Sequence, residues 1–122
     1  MNKSSIGIEI QNKGHEYKYE NFSLKQISSL KRLLKSLVRT YNINLNNILG
    51  HSDIAPERKK DPGEKFPWKS LAKVKLAIWH NLNEKKLKPN RLKKLNKIEE
   101  KQFLKNLCSI GYNKIIKFGS NT

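Results

Sequence analysis

A stretch rich in glycine and proline, residues 50–63, limits what this chain can fold into more than any other segment. Gly50 and Gly63 bound it, and Pro56 and Pro62 lie inside it. Proline fixes φ and removes a backbone donor, and glycine adopts dihedrals that other residues avoid. The composition therefore predicts a shaped loop instead of a helix or a central strand. Loops of this kind often carry functional side chains.

The clearest helix signal lies upstream of this loop. Ser23 and Gln26 have the spacing of a capping box, and Phe22 is placed to pack on Ile27 as a hydrophobic staple. Apolar residues then recur at spacings of three and four, and this stripe consists of Ile27, Leu30, Leu34, Leu37 and Tyr41, widened by Leu33 and Val38. The pattern predicts an amphipathic helix from Ser23 to Tyr41 with a solvated basic outer side.

Two short segments have the pattern of strands. In Ile6–Ile10 the isoleucines alternate with Gly7 and Glu9, so the isoleucines share one face and Glu9 lies on the other. Asn47–Leu49 is a second, shorter candidate. Two short strands are marginally stable in water. We therefore predict an α/β fold with an incomplete mixed β-sheet, on which the amphipathic helix packs.

The C-terminal third is polar and then helical. Residues 81–97 are rich in lysine and asparagine, which predicts a basic linker. Asn96 and Glu99 repeat the capping pattern, and the apolar spacing from Phe103 to Ile110 predicts a second amphipathic helix that ends at Gly111. The single cysteine, Cys108, lies among these apolar residues, so we expect a buried thiol and no internal disulfide.

The charge balance points to anionic partners. Lys+Arg 26 against Asp+Glu 10 gives a net charge of +16, which attracts polyanions such as nucleic acid or an acidic envelope polymer. A general bias toward lysine would produce the same balance without any polyanion site. The sequence contains no apolar run long enough to span a membrane and no signal-peptide pattern at its start.

His51 and Asp61 are the candidate metal ligands of the loop. An imidazole and a carboxylate are groups that Zn²⁺ accepts, and neither residue lies on an apolar stripe. A solvent-exposed His–Asp pair that binds no metal would have the same two residues. The surrounding sequence decides between these alternatives.

The string GHSDIAPERKKDPG, followed by Phe66-Pro67-Trp68, resembles the signature of the zinc-dependent N-acetylmuramoyl-L-alanine amidases of the amidase-2 type, relatives of the peptidoglycan recognition proteins. The segment SIGIEI, residues 5–10, is similar to the strand that precedes this signature in the family. The resemblance covers about Ser5 to Trp68. It implies a bacterial hydrolase of cell-wall peptidoglycan or soluble muropeptides.

The resemblance also implies residue roles. His51 and Asp61 would be zinc ligands, Lys59 the cation that stabilises the developing oxyanion, and Glu9 the carboxylate that acts on the attacking water. These roles agree with general chemistry, because a zinc ion activates water near neutral pH and a fixed ammonium stabilises negative charge in a transition state. Lys59 lies two residues before Asp61.

The family takes its first zinc ligand from a histidine on an earlier strand. The resemblance therefore implies that residues 1–80 are the C-terminal portion of an amidase domain, with a separately encoded N-terminal half as a potential partner. Residues 98–122 would be a truncated helical appendage like the one that helps periplasmic members hold peptidoglycan. His15 and His80 are weaker candidates for the third ligand. We expect a cytoplasmic location for this chain alone and a periplasmic one if an N-terminal part precedes it.

A non-catalytic alternative also fits the composition. A basic module could use its lysine-rich helices to bind nucleic acid or an anionic cell-wall polymer, and nucleic acid is the less favoured partner. Steeply salt-dependent DNA binding would support this alternative. Zinc-dependent release of stem peptides from muropeptides would support the amidase.

Overall fold

The computed structural model describes residues 4–112. Their regular elements are α1 (Leu24–Tyr41), a 3₁₀ turn (Leu45–Asn47), α2 (His51–Ile54), α3 (Trp68–Ala72), α4 (Glu84–Leu92) and α5 (Lys97–Ser109). The chain forms two compact units, Met1–His80 and Asn81–Thr122. The last part of the predicted appendage, residues 113–122, lies outside the described residues.

The predicted β-sheet is wrong for the part of the chain that the structure describes. Residues 4–112 contain no strand: Ile6–Ile10 lies in an irregular segment, and Asn47 ends the 3₁₀ turn. A strand needs a neighbour to accept and donate its backbone hydrogen bonds, and no described segment pairs with residues 6–10. The alternation still has a consequence, because Ile8 and Ile10 pack against the core while Glu9 is exposed.

The prediction for α1 is confirmed. Ser23 Oγ accepts a hydrogen bond from the Gln26 amide, and the Gln26 side chain accepts one from the Ser23 amide, so both halves of the capping box form. The helix ends where Asn42 adopts a left-handed conformation with φ 49°. Asparagine tolerates this conformation better than most residues, which makes it a suitable helix terminator.

The core of the first unit is small. It consists of seven buried side chains: Ile27, Leu30, Leu34, Phe66, Leu71, Leu76 and Ala77. The first three come from α1, so the predicted stripe is the packing face, although Leu33 and Tyr41 are exposed. Lys31 Nζ also donates to Ser70 Oγ at 2.7 Å and joins α1 to α3. The packing brings residues 66–77, which follow the loop, against α1.

The second unit is helical over most of its described part. Residues 81–97, predicted to be a linker, contain α4, so this segment is not irregular throughout. The prediction for α5 is confirmed, because Asn96 Oδ1 accepts from the amides of Ile98 and Glu99 and forms a capping box with Glu99. Cys108 is a free thiol but is half-buried instead of buried. Among the described helices, none is long and apolar enough to cross a membrane.

Candidate functional site

The loop begins with a helical turn that the sequence did not predict. Residues His51–Ile54 form α2, and the Gly50 amide donates to Asp53 Oδ2 at 2.7 Å. Ala55 N–H donates to the His51 carbonyl at 2.9 Å and closes the turn. A carboxylate that caps the first turn offsets the cost of leaving those amides without partners. Pro56 follows α2, so the prediction of a non-helical loop fails only for these four residues.

The two candidate metal ligands are brought together by a backbone contact. Ser52 N–H donates to the Asp61 carbonyl at 2.8 Å, which returns the chain to α2. His51 Nδ1 then lies 3.0 Å from Asp61 Oδ2. Their side chains are 45% and 62% exposed, so the pair is open to solvent. Two residues ten positions apart therefore present a nitrogen and an oxygen to the same small region.

Gly50 lets the returning chain approach α2 closely. It is buried, and an added Cβ would lie 2.7 Å from Pro62 Cδ and 3.2 Å from Trp68 Cζ2. The Asp61–Pro62 peptide bond is cis. Any larger residue at position 50 would push against the segment that carries Asp61.

Tyr19 anchors the turn that follows Asp61. Its hydroxyl donates to the Pro62 carbonyl at 2.7 Å and accepts from the Lys65 amide at 3.1 Å. Lys65 Nζ donates to the Tyr19 carbonyl at 2.7 Å and lies 5.1 Å from the centre of the Tyr19 ring. No sequence pattern predicted this contact, and the only hint of it was the presence of aromatic side chains in an otherwise polar stretch.

A row of rings connects this anchor to the core. The Tyr19 ring lies 4.3 Å from the His15 ring and 6.4 Å from the Phe22 ring. Phe22 packs edge-on against Phe66 at 5.3 Å, and Phe66 packs against Trp68 at 4.7 Å. Edge-to-face pairs at these separations are favourable. The turn at residues 62–65 is thus connected to the core through Tyr19 and through Phe66, which follows it.

Two pKa shifts accompany the anchor. His15 Nε2 lies 2.8 Å from Glu64 Oε2, and this hydrogen bond lowers the pKa of the Glu64 carboxyl. Burial raises the pKa of the Tyr19 phenol, which the hydrogen bond from the Lys65 amide partly offsets. The phenol therefore stays protonated and keeps its O–H donor at neutral pH.

The structure does not bring the two predicted catalytic residues into contact with the pair. Glu9 is exposed on the irregular segment, which a hydrogen bond from Gln26 Nε2 to the Gln11 carbonyl, 2.7 Å long, holds against α1. Lys59 is half-buried, and its amide donates to the Ala55 carbonyl at 3.0 Å. Within residues 4–112 no hydrogen bond or ion pair joins Glu9 or Lys59 to the two candidate ligands.

Comparison with known protein families gives a match that includes most of the first unit and the loop with His51 and Asp61. The profile of the N-acetylmuramoyl-L-alanine amidase family matches residues 1–64, slightly more than half of the chain. This chain belongs to that family. The family assignment drawn from residues 5–68 is thereby confirmed.

Curated members of the amidase family are also similar in sequence. N-acetylmuramoyl-L-alanine amidase AmiD of Escherichia coli (strain K12) is 39% identical over 84 residues, which cover 65% of this chain and 30% of AmiD. The 1,6-anhydro-N-acetylmuramyl-L-alanine amidase AmpD of Enterobacter cloacae is 40% identical over 67 residues, covering 55% of this chain and 34% of AmpD. The chain thus spans about a third of the length of these relatives. No solved structure matches the chain significantly.

The His51–Asp61 pair places two potential ligand atoms next to each other, at the distance of a direct hydrogen bond. With metal–ligand distances of about 2.1 Å, two ligand atoms of a tetrahedral zinc lie about 3.4 Å apart. The observed separation of 3.0 Å between Nδ1 and Oδ2 is close to this value. Residues 4–112 contain no group of three or more His, Cys, Asp or Glu side chains that could hold a metal. His15, one candidate for a third ligand, pairs with Glu64, and the ring of the other, His80, lies 4.7 Å from that of Trp79.

Proposed function

We propose that this chain contributes to a zinc-dependent N-acetylmuramoyl-L-alanine amidase, which hydrolyses the amide between N-acetylmuramic acid and L-alanine in peptidoglycan or muropeptides. The observation that carries the proposal is the 3.0 Å approach of His51 and Asp61, within a segment matched by the amidase family. The similar proteins AmiD and AmpD are an N-acetylmuramoyl-L-alanine amidase and a 1,6-anhydro-N-acetylmuramyl-L-alanine amidase, which supports this reaction class.

His51 and Asp61 would hold the metal. The third protein ligand would come from outside residues 4–112, because the described part of the chain offers no group of three ligands. When bound, zinc supplies Lewis acidity that makes water a nucleophile near neutral pH. Two ligands alone bind zinc weakly, so the metal affinity of the isolated chain should be well below that of a three-ligand centre.

The chain supplies two further groups to the reaction. Glu9 is exposed, so its carboxylate is accessible to accept a proton from the attacking water. Lys59 carries an ammonium on the segment between α2 and Asp61, where it can bind the negative charge that develops on the amide oxygen. Because that charge is largest in the transition state, Lys59 would affect turnover more than substrate binding.

Zinc binding tests the ligand assignment directly. The full chain is titrated with zinc against a chromophoric chelator, beside His51→Ala and Asp61→Ala. Each substitution should abolish the weak binding of the unmodified chain, because each removes one of two ligands. Tight binding that survives both substitutions would show that the ligands lie elsewhere.

Amidase activity is measured as the amount of stem peptide released from muropeptides, detected by mass spectrometry. The release is compared with and without added zinc. The chain is tested alone and co-expressed with the N-terminal half of an amidase domain.

Lys59→Ala should lower turnover on the order of a hundredfold and leave zinc bound. Lys60→Ala, at the exposed neighbouring position, should leave turnover unchanged. Glu9→Gln should keep zinc bound but lose activity, because the amide cannot accept a proton from the attacking water, and Glu16→Gln is its control. Salt-sensitive DNA binding without any zinc-dependent cleavage would instead support the basic binding module.

A further inference from the structure

Tyr19 is hydrogen-bonded to the residue that directly follows Asp61. The phenol donates to the carbonyl of Pro62 at 2.7 Å and accepts from the amide of Lys65 at 3.1 Å. One hydroxyl thus bridges both ends of the turn at residues 62–65. The ammonium of Lys65 donates back to the Tyr19 carbonyl at 2.7 Å, so Tyr19 and Lys65 are joined by two hydrogen bonds and Tyr19 makes three with the turn.

Gly63, inside this turn, has no room for a side chain. This residue has φ +80°, and a Cβ built on it would lie 2.7 Å from the Tyr19 hydroxyl and 2.6 Å from Cε1 of His15. Glycine is favoured here for two reasons, the left-handed backbone and the closeness of the two rings. The backbone at Gly63 therefore packs directly against the Tyr19 and His15 rings.

The backbone that follows the Asp61 α-carbon is held at two successive points. The Asp61 carbonyl accepts from the Ser52 amide of α2 at 2.8 Å, and the next carbonyl along the chain accepts from Tyr19. The backbone that carries the Asp61 side chain is thus anchored at two successive carbonyls, and Asp61 Oδ2 lies 3.0 Å from His51 Nδ1. Groups that orient a ligand in this manner commonly change metal affinity tenfold or more when they are removed.

We propose that Tyr19 is a positioning residue: it holds the turn after Asp61 so that the Asp61 carboxylate faces His51. The proposal rests on the proposed function for the identity of the ligand pair, but the positioning itself can be measured without metal. The phenol O–H carries the effect, and the Tyr19 ring contributes packing that a phenylalanine would retain.

Amide hydrogen exchange of the full chain gives the metal-free test. The Ser52 amide reports on its bond to the Asp61 carbonyl, and the Leu30 amide in α1 reports on the core. Tyr19→Phe should speed exchange at Ser52 by on the order of tenfold, since it removes two hydrogen bonds from the turn, and should leave Leu30 unchanged. Tyr17→Phe is the matched control, because Tyr17 is exposed and its hydroxyl makes no hydrogen bond within residues 4–112.

Gly63→Ala provides a second variant that acts on the same contact from the other side. It should also speed exchange at Ser52, and combining it with Tyr19→Phe should add little, because both changes release the same turn. Equal acceleration at Ser52 and Leu30 in both variants would show a general structural role and overturn the proposal. Unchanged exchange at Ser52 in Tyr19→Phe would overturn it as well.

Zinc titration separates this proposal from the proposed function. If the unmodified chain binds zinc through His51 and Asp61, Tyr19→Phe should weaken binding about tenfold while Tyr17→Phe does not. Undiminished zinc affinity in Tyr19→Phe would refute the positioning role. If the unmodified chain shows no zinc binding but Ser52 exchange responds as expected, the zinc assignment fails and the positioning of Asp61 by Tyr19 stands.

Discussion

Replacing Gly50 with alanine should destabilise the first unit through steric overlap alone. Gly50 has φ −82° and ψ 161°, which alanine adopts without strain, so the backbone is not the obstacle. The new methyl group would lie 2.7 Å from Pro62 Cδ, whereas carbon atoms pack at about 3.5–4.0 Å. The proline ring cannot rotate away as a flexible side chain would. Either Pro62 or α2 must therefore move by about 1 Å.

Overpacking of this kind costs about 1–3 kcal/mol in the free energy of unfolding. Alanine also reduces the freedom of the unfolded chain, which offsets the loss by up to about 1 kcal/mol. We expect a net destabilisation of about 1–2 kcal/mol. For a domain of this size, the melting temperature should fall by roughly 4–16 °C.

Urea unfolding followed by far-ultraviolet circular dichroism measures this effect on the full chain. Gly7→Ala is the matched control, because a Cβ there meets nothing within 4 Å and Gly7 does not have a positive φ. Gly7→Ala should be neutral or slightly stabilising. If the two variants have the same unfolding midpoint, the close approach of Pro62 to α2 and the reasoning built on it are wrong.

Three further outcomes are expected. Leu71→Ala should cost about 2–5 kcal/mol in urea unfolding, because Leu71 is 1% exposed, whereas Leu24→Ala, at a position 90% exposed, should cost less than about 0.5 kcal/mol. Ser23→Ala should lower the free energy of unfolding by about 1 kcal/mol through loss of the capping box, with m unchanged. The lowered pKa of Glu64 contributes stability that is fully present above the pKa of the unfolded carboxyl and is lost as the pH falls through the folded pKa. Melting temperatures measured between about pH 6 and pH 3 should thus fall more for the unmodified chain than for Glu64→Gln, and parallel curves would contradict the role of its hydrogen bond with His15.

Local signals in the sequence were sufficient to predict α1 and α5, but not α2 or α4. The capping boxes at Ser23 and Asn96 depend on contacts between residues three positions apart, so they form wherever the chain lies in the fold. The same local reasoning recognised the motif that assigns the chain to its family. Its failure at Ile6–Ile10 has a physical cause: alternation describes which side chains are buried, but a strand also needs a second segment for its hydrogen bonds.

The sequence alone thus determined the two capped helices, the apolar face of α1 and the membership of the amidase family. The tertiary structure decided what no local pattern contains: the 3.0 Å approach of His51 and Asp61, and the hydrogen bonds from Tyr19 to a turn more than forty residues away. These contacts depend on how α1, the returning loop and the aromatic row pack together. Such packing is a property of side chains distant in sequence, so it becomes visible only when the chain is folded.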